Sequence, residues 1–310
     1  MFRGFEHDKI DADGVEINLV RGGSGPPLLL LHGYPQSHVM WHKVAPILAQ
    51  HFTVVATDLR GYGDSAKPEG GTDHAGYSKR ASARDQVAVM AALGFDKFAL
   101  VGHDRGARVA HRLARDHPER VQRLAVIDIV PTYTAFAGTD KEKAMGYYHW
   151  FFLSQPFDLP ERLIGGDPVY FLHWCLKSWG GGKLDYFDAE AMAEYERCFS
   201  DPAVIHASCE DYRAGATIDL EHDTEDLARK ITCPTMALWG NRHEEWYDVA
   251  AVWREYAENV TGGVLKGGHF LPEEMPDEVA RVVAFMASPA AGWVTGTNII
   301  VDGGQHKGVD

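Results

Sequence analysis

The fold is decided by nine residues that read Leu100-Val101-Gly102-His103-Asp104-Arg105-Gly106-Ala107-Arg108. The apolar residues predict a buried strand, the two glycines bracket a tight turn, and the residues that follow predict a helix. This is the G-x-nucleophile-x-G arrangement of a nucleophile elbow, in which a sharp strand-to-helix turn raises one side chain above a sheet. Here that side chain is Asp104. The alternative is a glycine-bounded turn in which Asp104 only caps the helix.

Short apolar runs alternate with helical stretches on both sides of this elbow. The apolar runs are residues 28–31, 53–56, 98–101, 124–127 and 234–239, and helices are predicted over residues 81–93, 105–116 and 277–286. Continuous apolar runs are typical of strands that are covered on both faces. Their alternation with helices predicts an α/β fold, with a mostly parallel sheet wrapped by helices.

The middle of the chain has a different composition. It is rich in aromatic and acidic residues, is broken by Pro and Gly, and contains no clear strand. We therefore predict a first core segment over residues 1–134, an inserted helical cap over residues 135–226, and a second core segment over residues 227–310 with an atypical tail from about residue 287. Residues 147–152 are aromatic all round, so we expect them to be buried between two surfaces, with the cap over the strand ends where α/β sheets bind ligands.

Composition excludes several classes of partner. The 310 residues include 44 acidic and 30 basic side chains, for a net charge of -14 and no basic run, which argues against nucleic acid. No apolar run approaches the roughly 20 residues of a membrane span. The first six residues lack the apolar core of a signal peptide, so we expect a cytoplasmic protein. The four cysteines show no C-x-x-C spacing, so neither a zinc site nor a redox motif is predicted.

Two loops supply the other parts of a hydrolytic site. His32-Gly33-Tyr34-Pro35 follows the first strongly apolar run, where such folds place an oxyanion-hole loop, and His269 follows two glycines on a late loop, where the base is expected. For the acid we select Asp128, at the end of a predicted strand, and keep Glu244 as the fallback. The alternative for Asp128 is a capping residue.

At these positions the chain resembles the α/β hydrolases and, among them, the fluoroacetate dehalogenases, from residue 1 to about residue 286. The most specific motif is His103-Asp104-Arg105-Gly106, because haloalkane dehalogenases and epoxide hydrolases usually carry Trp after the nucleophilic Asp. The remaining motifs are Asp58-Leu59-Arg60-Gly61-Tyr62-Gly63, His149-Trp150, Asp211-Tyr212-Arg213-Ala214-Gly215 and Gly268-His269-Phe270. The resemblance implies a homodimer that cleaves fluoroacetate and other small 2-haloacids, with no cofactor and no metal.

An Asp nucleophile forms an ester with the carbon it attacks, so the expected reaction is displacement of halide followed by ester hydrolysis. Asp104 is then the nucleophile and His269, oriented by Asp128, is the base, while the amides of Tyr34 and Arg105 form the oxyanion hole. Arg105 and Arg108 lie one helical turn apart, and we expect them to hold the substrate carboxylate together. The alternative for Arg108 is a solvated helix residue.

The resemblance also implies that His149, Trp150 and Tyr212 bind the departing halide; the alternative for these three is packing within the cap. Two other functions stay open. An epoxide hydrolase would use cap tyrosines as acids, because an epoxide oxygen must be protonated, and a catalytically silent homologue would only bind a small carboxylate.

The C-terminal tail departs from the hydrolase pattern. It reads Gly292-Trp293-Val294-Thr295-Gly296-Thr297-Asn298-Ile299-Ile300-Val301-Asp302-Gly303-Gly304 and resembles the end of short-chain dehydrogenases. Those enzymes need a Tyr-x-x-x-Lys pair and a Gly-rich nucleotide loop, and this chain has neither. We therefore treat the tail as an appended segment with no predicted role.

Overall fold

The computed structural model describes residues 1–288, apart from the side chains of residues 242–244. An eight-stranded sheet in the order β1-β2-β4-β3-β5-β6-β7-β8 runs through this part of the chain. Its strands are β1 Glu6–Ala12, β2 Val15–Gly22, β3 Pro27–Leu31, β4 Thr53–Thr57, β5 Phe98–His103, β6 Val121–Ile127, β7 Thr235–Gly240 and β8 Val260–Leu265. Strands β3 to β8 are parallel to one another, whereas β2 is antiparallel to both β1 and β4.

The apolar runs of the sequence form the centre of this sheet as β3 to β7. Strand β5 is buried along its whole length, and so are the four leucines of β3, because helices cover both faces. Parallel strands with two covered faces need continuous apolar runs. The predicted α/β fold with a mostly parallel sheet is confirmed.

Three strands, β1, β2 and β8, were not predicted because they lack a continuous apolar run. The edge strand β1 reads Glu-His-Asp-Lys-Ile-Asp-Ala and is mostly exposed, so it pairs with β2 without supplying a run of core residues. Strand β2 is only partly apolar. Strand β8 contains Gly262 and Gly263, and glycine is a poor strand signal because it has no side chain to pack.

Helices flank the sheet and cover the ends of its strands. Those of the core are α1 Ala45–Leu48, α2 Lys79–Ala92, α3 Arg105–Asp116, α12 Asn241–Trp246, α13 Val249–Tyr256, α14 Leu271–Glu274 and α15 Pro276–Ala287. Those between β6 and β7 are α4 Thr132–Ala137, α5 Lys141–Gly146, α6 Tyr148–Leu153, α7 Leu159–Gly165, α8 Pro168–Trp179, α9 Ala189–Phe199, α10 Pro202–Ala216 and α11 Ile218–Glu225. Helix α3 occupies the residues predicted for it.

The helices α4 to α11, which we call the cap, lie over the carboxyl ends of the strands. Residues 128–234 are all described and contain no strand. Within α6, His149 and Trp150 are buried, but Phe151 remains 38% exposed. The expectation that residues 147–152 are buried all round is therefore wrong, because α6 buries one face and leaves the other at the surface.

No helix among residues 1–288 combines the length and the apolar character needed to cross a bilayer. Helix α15 ends at Ala287. The tail that resembles short-chain dehydrogenases lies outside the described residues.

Candidate active site

Asp104 stands at the turn between β5 and α3. Its backbone has φ 47° and ψ -117°, a conformation that few residues other than glycine adopt. Asp104 occupies the N-cap position of α3, yet its side chain makes no capping hydrogen bond, so the capping alternative is wrong. Instead Oδ1 accepts a hydrogen bond from the backbone N–H of Tyr34 at 2.9 Å. The strained turn thus presents the carboxylate above the sheet.

Close packing of glycines holds this turn in place. A Cβ added to Gly106 would come within 2.3 Å of the His32 carbonyl oxygen, and one added to Gly33 would come within 2.5 Å of the Asp104 Cβ. Any side chain at either position would push the elbow away from the loop after β3. The glycines therefore bring the Tyr34 amide to the Asp104 carboxylate.

Asp128 and His269 form a tight pair beside the elbow. Asp128 follows β6, and its Oδ2 lies 2.5 Å from Nδ1 of His269 while its Oδ1 accepts the N–H of Gly240 at 2.7 Å. The N-cap of the next helix is Pro131, so Asp128 does not cap it. The side chain of Glu244, the fallback acid, lies outside the described residues.

His269 directs its other nitrogen toward the elbow. Nε2 lies 3.8 Å from Oδ2 of Asp104, which is an ion-pair distance and longer than a hydrogen bond. The structure thus places His269 between Asp104 and Asp128, as a base between a nucleophile and an orienting acid must lie.

The pKa values of these groups suit that order. Burial alone would raise the pKa of Asp104, but the charges of His269, His103, Arg108 and Arg105 outweigh it and lower the pKa. Burial alone would lower the pKa of His269, but the hydrogen bond and charge of Asp128 outweigh it and raise the pKa. Asp104 is consequently ionised at neutral pH.

A cavity of about 490 Å³, including its opening, lies above Asp104. Its lining combines core and cap residues: Asp104, Arg108, Asp128, Gly146, Tyr147, His149, Trp150, Trp179, Trp246 and His269. Gly146, Tyr147 and Trp246 are partly exposed and surround the mouth, whereas Asp104, Arg108 and Asp128 lie buried at the base.

The two arginines after the elbow have different environments. Arg108 is 3% exposed, lines the cavity, and donates from Nη1 to the carbonyl of Val130 and the hydroxyl of Thr132, so it is not a solvated helix residue. Arg105 does not line the cavity. Its Nε donates to Oδ2 of Asp211 at 2.6 Å and its Nη2 donates to the Asp211 carbonyl.

The joint binding of one substrate carboxylate by both arginines stays a prediction. A buried guanidinium needs a charged partner. Arg105 pairs through Nε and Nη2 with Asp211, a residue of α10, whereas Arg108 lines the cavity. Asp211 belongs to a motif that carries the resemblance, but nothing in its spacing pointed to Arg105.

His149, Trp150 and Tyr212 gather on the cap side. His149 and Trp150 line the cavity; Tyr212 lies just behind, with its ring 5.8 Å from that of His149 and 6.3 Å from that of Trp150. Burial, with the charges of His269 and the two arginines, lowers the pKa of His149 to about 3, so this imidazole is neutral. Burial raises the pKa of Tyr212, which keeps its hydroxyl protonated. Both side chains thus retain a hydrogen-bond donor.

Several residues around the site had no role in the sequence-based prediction. Trp179 ends α8 and packs its ring 4.2 Å from that of His149, and Trp246 stands 5.1 Å from Tyr147 at the mouth. No sequence spacing links either residue to the elbow.

Known proteins share both the fold and the length of this chain. A family model described as alpha/beta hydrolase fold matches residues 26–276, and one described as enoyl-(acyl carrier protein) reductase matches residues 270–306, which include most of the tail. A fluoroacetate dehalogenase from Burkholderia sp is 50% identical over 94% of this chain and 96% of its own length. A soluble epoxide hydrolase from Corynebacterium sp. (strain C12) is 39% identical over 88% of this chain and 94% of its own length.

A solved structure of an α/β hydrolase from Nostoc sp PCC 7120 superposes with a TM-score of 0.92 at 58% identity, over 93% of this chain and 100% of the other.

Proposed function

The chain belongs to the α/β-hydrolase family, and from that premise we propose that it is a hydrolytic dehalogenase. Its substrates are fluoroacetate and other small 2-haloacids, which it converts to the 2-hydroxyacid, glycolate from fluoroacetate, and halide. One observation carries the proposal: a carboxylate stands at the elbow, and the same small cavity holds the buried cation Arg108. The similarity to a fluoroacetate dehalogenase supports it.

The first step is displacement at carbon. Oδ1 of Asp104 is held by the Tyr34 amide, so Oδ2 attacks the carbon that bears the halogen from the side opposite the halide. The carbon–oxygen bond forms as the carbon–halogen bond breaks, and the halide leaves with the bonding electron pair. The neutral donors of His149, Trp150 and Tyr212 stabilise its developing charge.

The second step is hydrolysis of the Asp104 ester. Nε2 of His269 takes a proton from water, and the hydroxide attacks the ester carbonyl carbon. The charge that develops on Oδ1 is stabilised by the amide of Tyr34 and, at the start of α3 where helical N–H groups lack an acceptor within the helix, by that of Arg105. The leaving glycolate oxygen takes that proton from His269, which restores the neutral base. The second proton of the water remains on the Asp104 carboxyl group and is released to solvent, which restores the carboxylate.

Arg108 selects the substrate. Its guanidinium bonds neutral oxygens of Val130 and Thr132, and its Nε has no hydrogen-bond partner among the described residues. Burial and the charge of Arg105 lower the pKa of Arg108. A substrate carboxylate in the cavity relieves both effects, because it pairs with the cation in a site that excludes water.

Mass spectrometry of trapped enzyme tests the mechanism. In His269→Asn the first step remains possible and the second stops, so treatment with fluoroacetate or bromoacetate should leave a carboxymethyl group on the peptide that contains Asp104. The matched control Asp104→Asn/His269→Asn should carry no adduct there. A folded His269→Asn protein without the adduct would overturn the covalent mechanism.

Epoxide hydrolysis is the second candidate, because Tyr147 lines the cavity and a similar enzyme is an epoxide hydrolase. An epoxide carries no charge, so it would not pair with the buried guanidinium of Arg108. Rates with fluoroacetate, chloroacetate, a haloalkane and an epoxide, measured on one preparation, separate the two activities. A silent carboxylate-binding role is disfavoured by the 2.5 Å contact of Asp128 with His269, which binding alone does not require.

We also propose that the protein is a cytoplasmic homodimer. Large apolar side chains that stay exposed concentrate on the cap, and a second copy would cover them. They are Met145, Phe151, Phe157, Leu159, Leu163, Tyr170 and Trp174. Light scattering on the purified full chain should give twice the monomer mass; a monomer at all concentrations would contradict the proposal.

A further inference from the structure

The loop that carries His269 is held by hydrogen bonds to its backbone. The amide of Gly268 donates to Oε2 of Glu274 at 2.7 Å, and the amide of Phe270 donates to Oε1 of the same carboxylate at 2.9 Å. Between them, the amide of His269 donates to the carbonyl of Trp179 in the cap at 3.1 Å. The carbonyl of His269 lies 2.7 Å from Nε2 of His103. Three consecutive amides and one carbonyl are thereby fixed by groups outside the loop.

Glu274 makes the largest contribution to this arrangement, because it uses both carboxylate oxygens on the two peptide groups that flank His269. Its side chain is partly buried, at the end of α14, and burial raises its pKa although both amides favour the charged form. A Glu that reaches back to amides near a helix start is also a common capping arrangement. A capping role alone concerns stability, so the two roles predict different measurements.

The geometry around the loop leaves it little freedom. A Cβ added to Gly268 would lie 2.9 Å from Oε1 of Glu274 and 3.0 Å from the Cα of Gly180, and one added to Gly240 would lie 2.3 Å from the Gly268 carbonyl. The loop is therefore packed between β7, the cap and Glu274. The direction of the imidazole follows from the peptide groups on either side of it.

We propose that Glu274 is a positioning residue for ester hydrolysis: by holding the amides of Gly268 and Phe270 it points Nε2 of His269 at the Asp104 ester while Nδ1 stays on Asp128. The inference rests on the proposed function, in which His269 is the base. Displacement of halide by Asp104 does not use His269, so Glu274 affects the second step and leaves the first unchanged.

Glu274→Gln is the main test. The amide keeps one acceptor oxygen and turns an NH₂ group toward the other backbone N–H, so one side of the loop is released. Rapid-quench measurements with bromoacetate should show a stoichiometric burst of halide at the wild-type rate. Steady-state turnover should fall about 10- to 100-fold, since small displacements of a reacting group cost rates of this order. Because Glu274 contributes to the raised pKa of His269, the acid limb of kcat should move to lower pH.

Two further variants separate geometry, charge and folding. Gly268→Ala crowds the same contact but keeps the carboxylate, so it should slow hydrolysis without the shift of the acid limb that loss of the charge produces. Asp277→Asn removes an exposed acid at the start of α15 and is the matched control, with no effect on the burst, turnover or pH profile. If Glu274→Gln does not fold, Gly268→Ala still tests the positioning role.

The outcomes distinguish this inference from the proposed function. An adduct in His269→Asn, with hydrolysis unchanged in both Glu274→Gln and Gly268→Ala, would overturn the positioning role and leave the dehalogenase mechanism standing. Equal losses in the burst and in turnover would assign Glu274 to general stability and also overturn it. No adduct in folded His269→Asn would overturn both proposals together.

Discussion

The floor and the roof of the cavity are built in different ways. The floor consists of Asp104, Asp128 and His269, which follow strands β5, β6 and β8 and are fixed by hydrogen bonds that include backbone amides. The roof consists mainly of His149, Trp150 and Trp179 on α6 and α8, and the rings of His149 and Trp179 lie 4.2 Å apart. Hydrogen bonds at the strand ends fix the distances between the floor side chains, whereas the aromatic rings of the roof determine the shape and polarity of the cavity. In the proposed mechanism the floor makes and breaks bonds, and the roof discriminates between substrates.

Arg108 belongs to the floor by position and to the roof by contact. It lies on α3, one turn after the elbow, yet its guanidinium lies 4.4 Å from the centre of the Trp150 ring. Cation–π contact of this kind steadies a buried charge without neutralising it. The proposed binding site for the substrate carboxylate therefore lies where the floor and the roof meet.

The largest effect is expected from the floor. In Asp128→Asn the Asn oxygen can still accept the Gly240 amide, but its NH₂ group then faces Nδ1 of His269 and favours the tautomer with the proton on Nε2. That nitrogen cannot accept a proton from water, so ester hydrolysis should slow by about 10³- to 10⁴-fold, as for the equivalent change in a serine triad. The carboxymethyl ester should accumulate on Asp104, visible by mass spectrometry. A variant with normal turnover and normal circular dichroism would remove Asp128 from the mechanism.

A change in the roof should act selectively. Trp150→Phe keeps an aromatic ring in the roof and removes the indole N–H, and loss of one preorganised donor costs about 10²- to 10³-fold where charge develops strongly. Fluoride concentrates its charge more than bromide does, so fluoroacetate should lose much more rate than bromoacetate, each relative to wild type. Trp179→Phe is the control, a change in a cavity-lining indole that should affect both halides alike. Equal losses in Trp150→Phe would mean that Trp150 only packs the cap.

Substitution of each arginine tests how the substrate carboxylate is bound between the floor and the roof. Arg108→Leu removes the cavity's cation, and loss of a charge-assisted contact of about 1.5 to 3 kcal/mol should raise KM roughly 10- to 100-fold for a 2-haloacid. The preference for the acid over its amide should disappear. Arg105→Leu also leaves Asp211 without its guanidinium partner and should lower the melting temperature. Unchanged discrimination in Arg108→Leu would place the carboxylate elsewhere.

The two cavity histidines should differ in their effect on the pH profile, and this is the smallest change expected. His269 has a pKa raised above 6.5, so lowering the pH through that value protonates the base and turnover should fall by up to about tenfold per pH unit. His149 has a pKa of about 3 and stays neutral throughout. Once Asp104 is esterified it has no charge and no longer raises the pKa of His269. The pH at which kcat falls on the acid side therefore depends mainly on Asp128. A flat profile under conditions in which hydrolysis limits turnover would exclude His269 as the base.

Sequence patterns predict the parts of the molecule whose structure depends on neighbouring residues. Strands β3 to β7 could be predicted because strands with two buried faces must be continuously apolar. Helix α3 begins and ends where predicted, and the elbow fixes its start. Asp104, Asp128 and His269 could be selected because each follows a strand or a glycine pair at one edge of the sheet.

The pairing of distant charged groups, in contrast, depends on the complete fold. Arg105 binds Asp211 across 106 residues of chain, with no spacing that predicts the contact. The exposure of individual residues also depends on the complete fold. Phe151 lies at the surface, whereas its aromatic neighbours His149 and Trp150 are buried. Local patterns encode burial because each residue carries its own hydrophobicity, whereas the partner of a buried charge is whichever opposite charge the finished fold brings within reach.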